Sequence, residues 1–304
     1  MPTGAPSRIA RVRVAVVDVG ANTLRLLVAD STSHGLEPVR RERRRTRLGE
    51  DVERFGRLTE EKIERSSEAA RKEVRRARKL GCSRIEIVVT SPWRNAENGK
   101  ELVEALAAAT GVRVRALEAD EEAELGFAGA VARTPVDAAP IAVCDVGGGS
   151  TQLAVGTRSG AAWLRSVELG SLRLTERCLR SDPPTAAELR QAREQAAEAF
   201  ASLAPPLPVA ALATGGTARA LRRFGVERLD EQSLAAALDG LSSLRRSARA
   251  KRVGADLERA RTLPAGAIIL AEVQRLLRIP LSFARGGVRE GACLELLQAE
   301  EATG

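Results

Sequence analysis

CDVGGGSTQLAVG, residues 144–156, sets three glycines after an Asp-Val pair and between two apolar runs. Glycine weakens a strand interior, so a cluster there marks a place where something must approach the backbone closely: a neighbouring chain segment or a ligand. An earlier stretch has the same plan. VRVAVVDVGANTLRLLVAD, residues 12–30, reads as a β-branched strand ending at Asp18, a break at Gly20-Ala21-Asn22, and a second strand. Val14–Val28 aligns without gaps on Ile141–Val155, a shift of 127 residues, with seven of fifteen positions identical. Asp18 falls on Asp145, Gly20 on Gly147 and Thr23 on Ser150. The shared Asp-Val-Gly break identifies an internal duplication.

Strand and helix patterns alternate around these hairpins. A helix runs from Thr59, placed as its N-cap, to Gly81, followed by a strand over 85–90. ENGKELVEALAAATG and EEAELGFAGAVA read as helices, with the strand VRVRALE between them. After the second hairpin, Thr185 and Glu188 form a capping box opening a helix that Pro205-Pro206 ends. VAALATGGTARALRRFG and LSFARGGVREGACLELLQAE each read as strand, Gly-Gly turn and helix, with the basic stretch SSLRRSARAKRVGADLERAR between them. A duplicated hairpin within an α/β alternation predicts two similar α/β halves with a ligand cleft between them.

Composition limits the chemistry. The 304 residues are 44% hydrophobic and 29% charged, enough for one large or two medium domains. The opening MPTGAPSRIARVR has no apolar signal core and no run is long enough to span a bilayer, so a cytoplasmic chain making no membrane contact is expected. Cys82, Cys144, Cys178 and Cys293 are scattered, which predicts reduced thiols. His34, in an expected turn, is the single histidine, so a Ser-His-Asp triad and a His-based metal centre are excluded. The net charge of +8 suits a polyanionic partner. VRRERRRTR, residues 39–47, is either a solvated strand face or part of that attraction. With 2% aromatics and no Tyr, the chain lacks the stacking platforms of a single-strand nucleic-acid binder, and no specific nucleic acid is expected.

Glycine turns let backbone N–H groups converge on a phosphate, and a neighbouring Ser or Thr adds a donor. Asp18 and Asp145 end their strands at equal height, where either can hold a cation or a bridging water. DVGANTLRLLV, TSPWRNAEN, EEAELGFAGAV, DVGGGSTQLAV, ELGSLRLTE, TGGTARAL and GGVREG follow one another in the order found in the Ppx/GppA family of exopolyphosphatases and guanosine pentaphosphate phosphatases. The resemblance runs from about Val14 to Leu297, as in a short form without the C-terminal HD-type helical domain of longer members.

That resemblance implies two RNase H-like domains of the actin and sugar-kinase superfamily with an interdomain cleft. Residues 1–11 are then a lead, 12–126 the first domain, 127–287 the second, and 288–304 a helix packing back on the first. It implies Glu122 as the residue that activates the attacking water, Glu121 as an ordinary capping carboxylate, and Arg94 as a substrate-phosphate contact. Asn22, Thr23, Gly147, Gly148, Gly149, Ser150, Gly215, Gly216 and Thr217 become phosphate-loop positions, while Gly286 and Gly287 form a turn before the last helix. Asp145 is the expected ligand of Mg²⁺ or another divalent cation. The chain departs from its relatives at three places: Gln152 stands where they carry a cation-holding Glu, Ala21 where they carry Ser, and Glu124 where they commonly carry Arg. Gln152 keeps an oxygen for the metal but brings no charge, which predicts weaker cation binding.

The implied reaction is hydrolysis of terminal phosphoanhydride bonds of short inorganic polyphosphate, with a homodimer as a possible assembly. Guanosine pentaphosphate hydrolysis uses the same chemistry. A non-catalytic sensor of polyphosphate or alarmone is the alternative from another class, and an ATP-dependent sugar kinase explains the loops but not the Glu-Glu-Ala segment.

Overall fold

The computed structural model describes residues 12–32 and 35–301. The expectations for residues 1–11 and His34 lie outside the described residues. In chain order the first half contains β1 (Arg13–Val19), β2 (Thr23–Thr32), β3 (Gly35–Arg45), α1 (Leu48–Phe55), α2 (Glu60–Lys79), β4 (Arg84–Val89), α3 (Ser91–Asn95), α4 (Gly99–Thr110), β5 (Arg113–Ala116) and α5 (Ala119–Arg133). The second contains β6 (Ile141–Val146), β7 (Thr151–Thr157), β8 (Gly160–Val167), α6 (Ser171–Cys178), α7 (Ala186–Phe200), β9 (Ala210–Thr214), α8 (Gly215–Phe224), α9 (Glu231–Ser242), α10 (Arg246–Val253), α11 (Leu257–Leu277) and β10 (Ser282–Phe283), before α12 (Val288–Glu301).

The fold is α/β, with two five-stranded sheets, each flanked by helices, ordered β3-β2-β1-β4-β5 and β8-β7-β6-β9-β10. These are one topology twice. The antiparallel hairpins β1–β2 and β6–β7 pair Asp18 with Arg25 and Asp145 with Gln152. Even the ladder irregularities coincide under the 127-residue shift, at Val28/Ala29 and Val155/Gly156. The duplication read from the hairpins therefore extends through both sheets.

Alternating and continuous apolar runs explain the burial. Val14, Val16 and Leu27 face one side of the first sheet, with Leu125, Ala292 and Cys293 against them. Val17, Leu24 and Leu26 face the other, against α2 and α4 residues such as Ala70 and Leu102. Helix α5 is shared: Leu125 joins the first-half core, while Phe127, Ala130 and Val131 pack with Ile141, Val143 and Leu212. Helix α12 returns to lie on α5, and backbone meets backbone there. A Cβ on Gly129 would fall 2.1 Å from the Gly287 carbonyl oxygen, and one on Gly291 2.1 Å from that of Leu125.

Two local details go beyond the sequence reading. Thr59 is the N-cap residue of α2, as expected, but its hydroxyl donates to Asp51 at 2.7 Å and makes no capping hydrogen bond to the helix. The basic stretch before residue 262, to which the sequence reading gives no element, forms α10 and the first turns of α11, whose N-cap Asp256 accepts from the Arg259 amide at 2.9 Å. Pro264 inside α11 conceals this helix, because proline removes a helical hydrogen bond; burial of the residues around it, from Leu263 to Leu270, compensates. All four cysteines are free, and among the described residues no helix is long and apolar enough to cross a membrane.

Candidate active site

The C-terminal ends of β1 and β6 meet at a cavity of about 90 Å³ lined from both sheets. Each hairpin supplies its turn: Gly20 to Thr23 from one half, Gly147, Gly148 and Ser150 from the other. Asp18, Asp145, Gln152, Glu122, Gly215 and Gly216 join them.

The two turns also touch each other, which answers the question posed by the glycine triplet. A Cβ on Gly148 would lie 3.3 Å from the Ala21 Cβ, and one on Gly149 2.8 Å from the Ser91 Oγ. The triplet is thus cleared in part for the other half of the chain, and Gly149 does not line the cavity at all. Gly215 and Gly216 are cleared for side chains. Gly215 has φ +85° and its Cβ would fall 2.1 Å from the Asp145 Oδ1, while a Cβ on Gly216 would strike the Arg259 Nη2 at 2.5 Å and the Arg25 Nη2 at 3.2 Å. Gly286 and Gly287 do precede the last helix, and Gly287 also lines the cavity.

Glu122, in the first turn of α5, is 8% exposed. Burial pushes its carboxyl up to about 7, against the pull of Arg94, whose Nη2 donates to the Glu122 Oε2 at 2.8 Å. Asp145 and Asp18 push it further up. Glu121 accepts from the Glu118 amide at 2.8 Å, the expected capping carboxylate.

Two expected phosphate contacts are turned elsewhere. Arg94 spends one guanidinium nitrogen on Glu122 and the other on the Leu117 carbonyl at 2.7 Å, so it holds the carboxylate and does not line the cavity. Thr217 is fully buried: its hydroxyl donates to the Val146 carbonyl and its methyl packs on Gly266. Thr23 lines the cavity and also accepts from the Arg25 Nε at 3.1 Å, orienting that guanidinium.

Arg25, Arg219, Arg259 and Arg289, absent from the sequence expectations, all line the cavity, and among the described residues none forms an ion pair. Burial lowers Arg25 to about 9 and Arg259 to about 10, and it lowers Arg219; neighbouring arginines lower all three further. Arginine keeps its proton in proteins, so this crowding is relieved by an anion in the cavity. The available signal was position: Arg25, Arg219 and Arg289 each follow a glycine turn within five residues. Arg259 lies in α11, whose helical signal Pro264 masks in the sequence.

A second cavity of about 430 Å³ continues from the first, sharing Arg25, Gly216, Arg219, Arg259 and Arg289 and adding Arg41, Arg43 and Arg223. Strand β3 is therefore more than a solvated face. Arg43 and Arg45 reach Asp256 in the second half at 3.0 and 3.1 Å and Arg41 reaches Glu290 at 3.1 Å, while Arg44 pairs with the fully buried Glu73 on the other side.

For a cation, Asp145 and Asp18 offer carboxylates free of hydrogen bonds and ion pairs among the described residues, both raised chiefly by burial. Gln152 donates through Nε2 to the Ser150 and Ser166 hydroxyls at 2.8 and 3.1 Å, leaving its carbonyl oxygen as the free end. Among the described residues no group of three His, Cys, Asp or Glu forms a closed cage. Two open carboxylates and neutral oxygens fit Mg²⁺, which keeps water and substrate oxygens in its shell.

Comparison with known proteins agrees with this architecture. Residues 27–300 match the profile of the Ppx/GppA phosphatase family. Exopolyphosphatase 2 of Mycobacterium tuberculosis is 33% identical over 296 residues, covering 89% of this chain and 92% of that protein. Exopolyphosphatase 1 of the same organism is 28% identical over 306 residues, covering 95% and 89%. The crystal structure of an exopolyphosphatase-like protein superposes with a TM-score of 0.85 at 27% identity, covering 94% of this chain and 98% of that one. An exopolyphosphatase from Cytophaga hutchinsonii shares the fold with a TM-score of 0.86 at 20% identity, covering 94% and 98%. The chain belongs to the Ppx/GppA phosphatase family.

Proposed function

We propose that this member of the Ppx/GppA family is an exopolyphosphatase that hydrolyses the terminal phosphoanhydride bond of inorganic polyphosphate and releases orthophosphate. The observation that carries the reading is the convergence of Arg25, Arg219, Arg259 and Arg289, none in an ion pair, on a cavity lined by both glycine hairpins and Glu122. Phosphoryl transfer is mainly positioning and charge neutralisation, and guanidinium forks do both. The arginine-lined continuation through Arg41, Arg43 and Arg223 suits the phosphates behind the terminal one. Among the described residues neither cavity has an aromatic side chain in its wall to stack a guanine ring, which favours polyphosphate over guanosine pentaphosphate.

In this reading the terminal phosphoryl sits between the hairpins, with the backbone N–H groups of Gly148 and neighbouring turn residues and the four guanidinium groups around its oxygens. Glu122, held by Arg94, orients the water and takes its proton as the oxygen bonds to phosphorus. The bridging oxygen leaves with its electron pair on the shortened chain, facing the arginines. Asp145, with Asp18 and the Gln152 carbonyl oxygen, would hold Mg²⁺, which supplies charge neutralisation at the phosphoryl oxygens when bound. Relatives with the name exopolyphosphatase support the substrate class.

The test is orthophosphate release, with Mg²⁺, from tripolyphosphate, long-chain polyphosphate and guanosine pentaphosphate, with Glu122→Gln beside the parent. Release from the polyphosphates, abolished in the variant, is expected. Binding without turnover in the parent would replace the enzyme with a sensor, and preference for the nucleotide would overturn the substrate assignment.

A further inference from the structure

A third cavity, about 500 Å³, lies between α1 of the first half and α6, α10 and α11 of the second, apart from the candidate active site. Its wall carries the guanidinium groups of Arg47, Arg54, Arg180, Arg246, Arg249 and Arg261 and the carboxylates of Glu50, Glu176, Asp182 and Glu258. The carboxylates are already engaged. Arg261 takes Glu176 at 2.6 Å and Glu258 at 3.1 Å, Arg249 takes Asp182 at 3.0 Å, and Lys62 and Arg47 take Glu50 at 3.5 and 3.8 Å. Arg54 and Arg180 have no side-chain partner among the described residues, and Arg246 reaches its two carboxylates only at 3.8 and 3.9 Å. Arg249 is 2% exposed and its Nε has no acceptor. Six cations against four carboxylates leave a surplus of two positive charges, drawn from both halves. Among the described residues, Leu179 and Pro184 are the only large apolar ones in the wall and none is aromatic, so a charged, compact ligand fits and a nucleobase does not.

We propose that this cavity is a second, non-catalytic site for a multivalent phosphate anion, gripped by Arg54 from one half and Arg180 and Arg246 from the other. Its two walls are wired to the two hairpins. At the start of α1, the Arg47 amide donates to the Asn22 carbonyl at 3.2 Å and the Gly49 amide to that of Ala21 at 2.7 Å. At the start of α6, the Ser171 and Leu172 amides donate to the Gly147 and Gly148 carbonyls, both at 2.9 Å. An anion that draws α1 and α6 together therefore fixes the spacing of the turns that cradle the substrate, and tightens binding there. The coupling runs through named hydrogen bonds between two rigid elements and the site they carry.

The test is calorimetric titration of inorganic pyrophosphate into the Glu122→Gln chain, which leaves turnover out. Two sites per chain are expected. The exposed double variant Arg54→Ala/Arg180→Ala in that background is expected to show one, with its affinity weakened about fivefold or more. Arg57→Ala/Arg190→Ala removes the same charge from exposed positions outside the cavity and is expected to keep both sites. One site in the Glu122→Gln chain, two in the cavity variant, or equal loss in the control overturns the proposal. One remaining site at unchanged affinity overturns the coupling. If both sites are present and the parent releases no orthophosphate, the enzyme reading fails and this one stands.

Discussion

Arg25 lies directly across the β1–β2 ladder from Asp18, in the register at which Gln152 faces Asp145 in the duplicated hairpin. One copy thus places a cation opposite its aspartate and the other a neutral amide. Arg25→Ala removes a charged contact to the terminal phosphoryl, for which a loss of roughly 1.5–3 kcal/mol is typical, so KM for tripolyphosphate should rise by about tenfold or more. Steady-state kinetics check it; an unchanged KM removes Arg25 from the anion site.

Gln152→Glu adds a carboxylate beside Asp145, in a cavity whose other described carboxylates are Asp18, Glu122 and Glu290, the last paired with Arg41. The Mg²⁺ concentration for half-maximal activity should fall. A rise, or no change, in a Mg²⁺ titration argues that the amide end of residue 152 does not face the cation.

With Glu122 as the proposed base, its carboxyl, raised to about 7, should set the acid limb of the pH profile. A base works deprotonated, so kcat/KM should fall as pH drops through about 7 and level off above it. Arg94 favours the charged form; Arg94→Met should therefore move the limb to higher pH, and a shift to lower pH would contradict the assignment. Glu122→Gln should lower kcat by about 10²–10⁴-fold with KM little changed.

The arginine gallery gives a length-dependent effect. Arg41→Ala/Arg223→Ala should raise KM for long-chain polyphosphate more than for pyrophosphate, since only a chain reaches beyond the shared arginines. Added salt should weaken long-chain binding more steeply, the Debye length being about 8 Å at physiological ionic strength. Equal effects on both substrates would show that the chain leaves by another route.

Gly129→Ala should destabilise the fold by about 1–3 kcal/mol or more, because its Cβ would sit 2.1 Å from the Gly287 oxygen and 2.6 Å from the Gly291 nitrogen, backbone atoms that cannot move aside. Gly126→Ala, one turn earlier on α5, meets only a Val288 methyl at 3.7 Å, and should be neutral or stabilising by roughly 0.5–1 kcal/mol. Thermal melts of the pair separate the two outcomes.

Much of this was legible in the sequence because the duplication and the glycine turns are local signals. The alignment of Asp18 on Asp145 anticipated the matching sheets, and the motif order pointed to Glu122. What escaped was decided by tertiary contacts. Nothing local tells that Arg94 turns to a carboxylate 28 residues on, or that Thr217 points into the core. The four arginines come from four separate segments, and their crowding exists only after both sheets have formed. Helix α11 was hidden by Pro264, whose cost is met by burial that no window of sequence displays.

The main chain passes from one half to the other twice, after α5 and again before α12, and those two helices rest on each other through glycine. With Gly129 on Gly287 and Gly291 on Leu125, main chain meets main chain at that junction, beside the side-chain packing of Leu125 with Val288 and Ala292. Such a contact leaves no room for a side chain, so it fixes how closely the two crossings of the chain lie. Glu122, in the first turn of α5, is therefore anchored to a seam that both halves share.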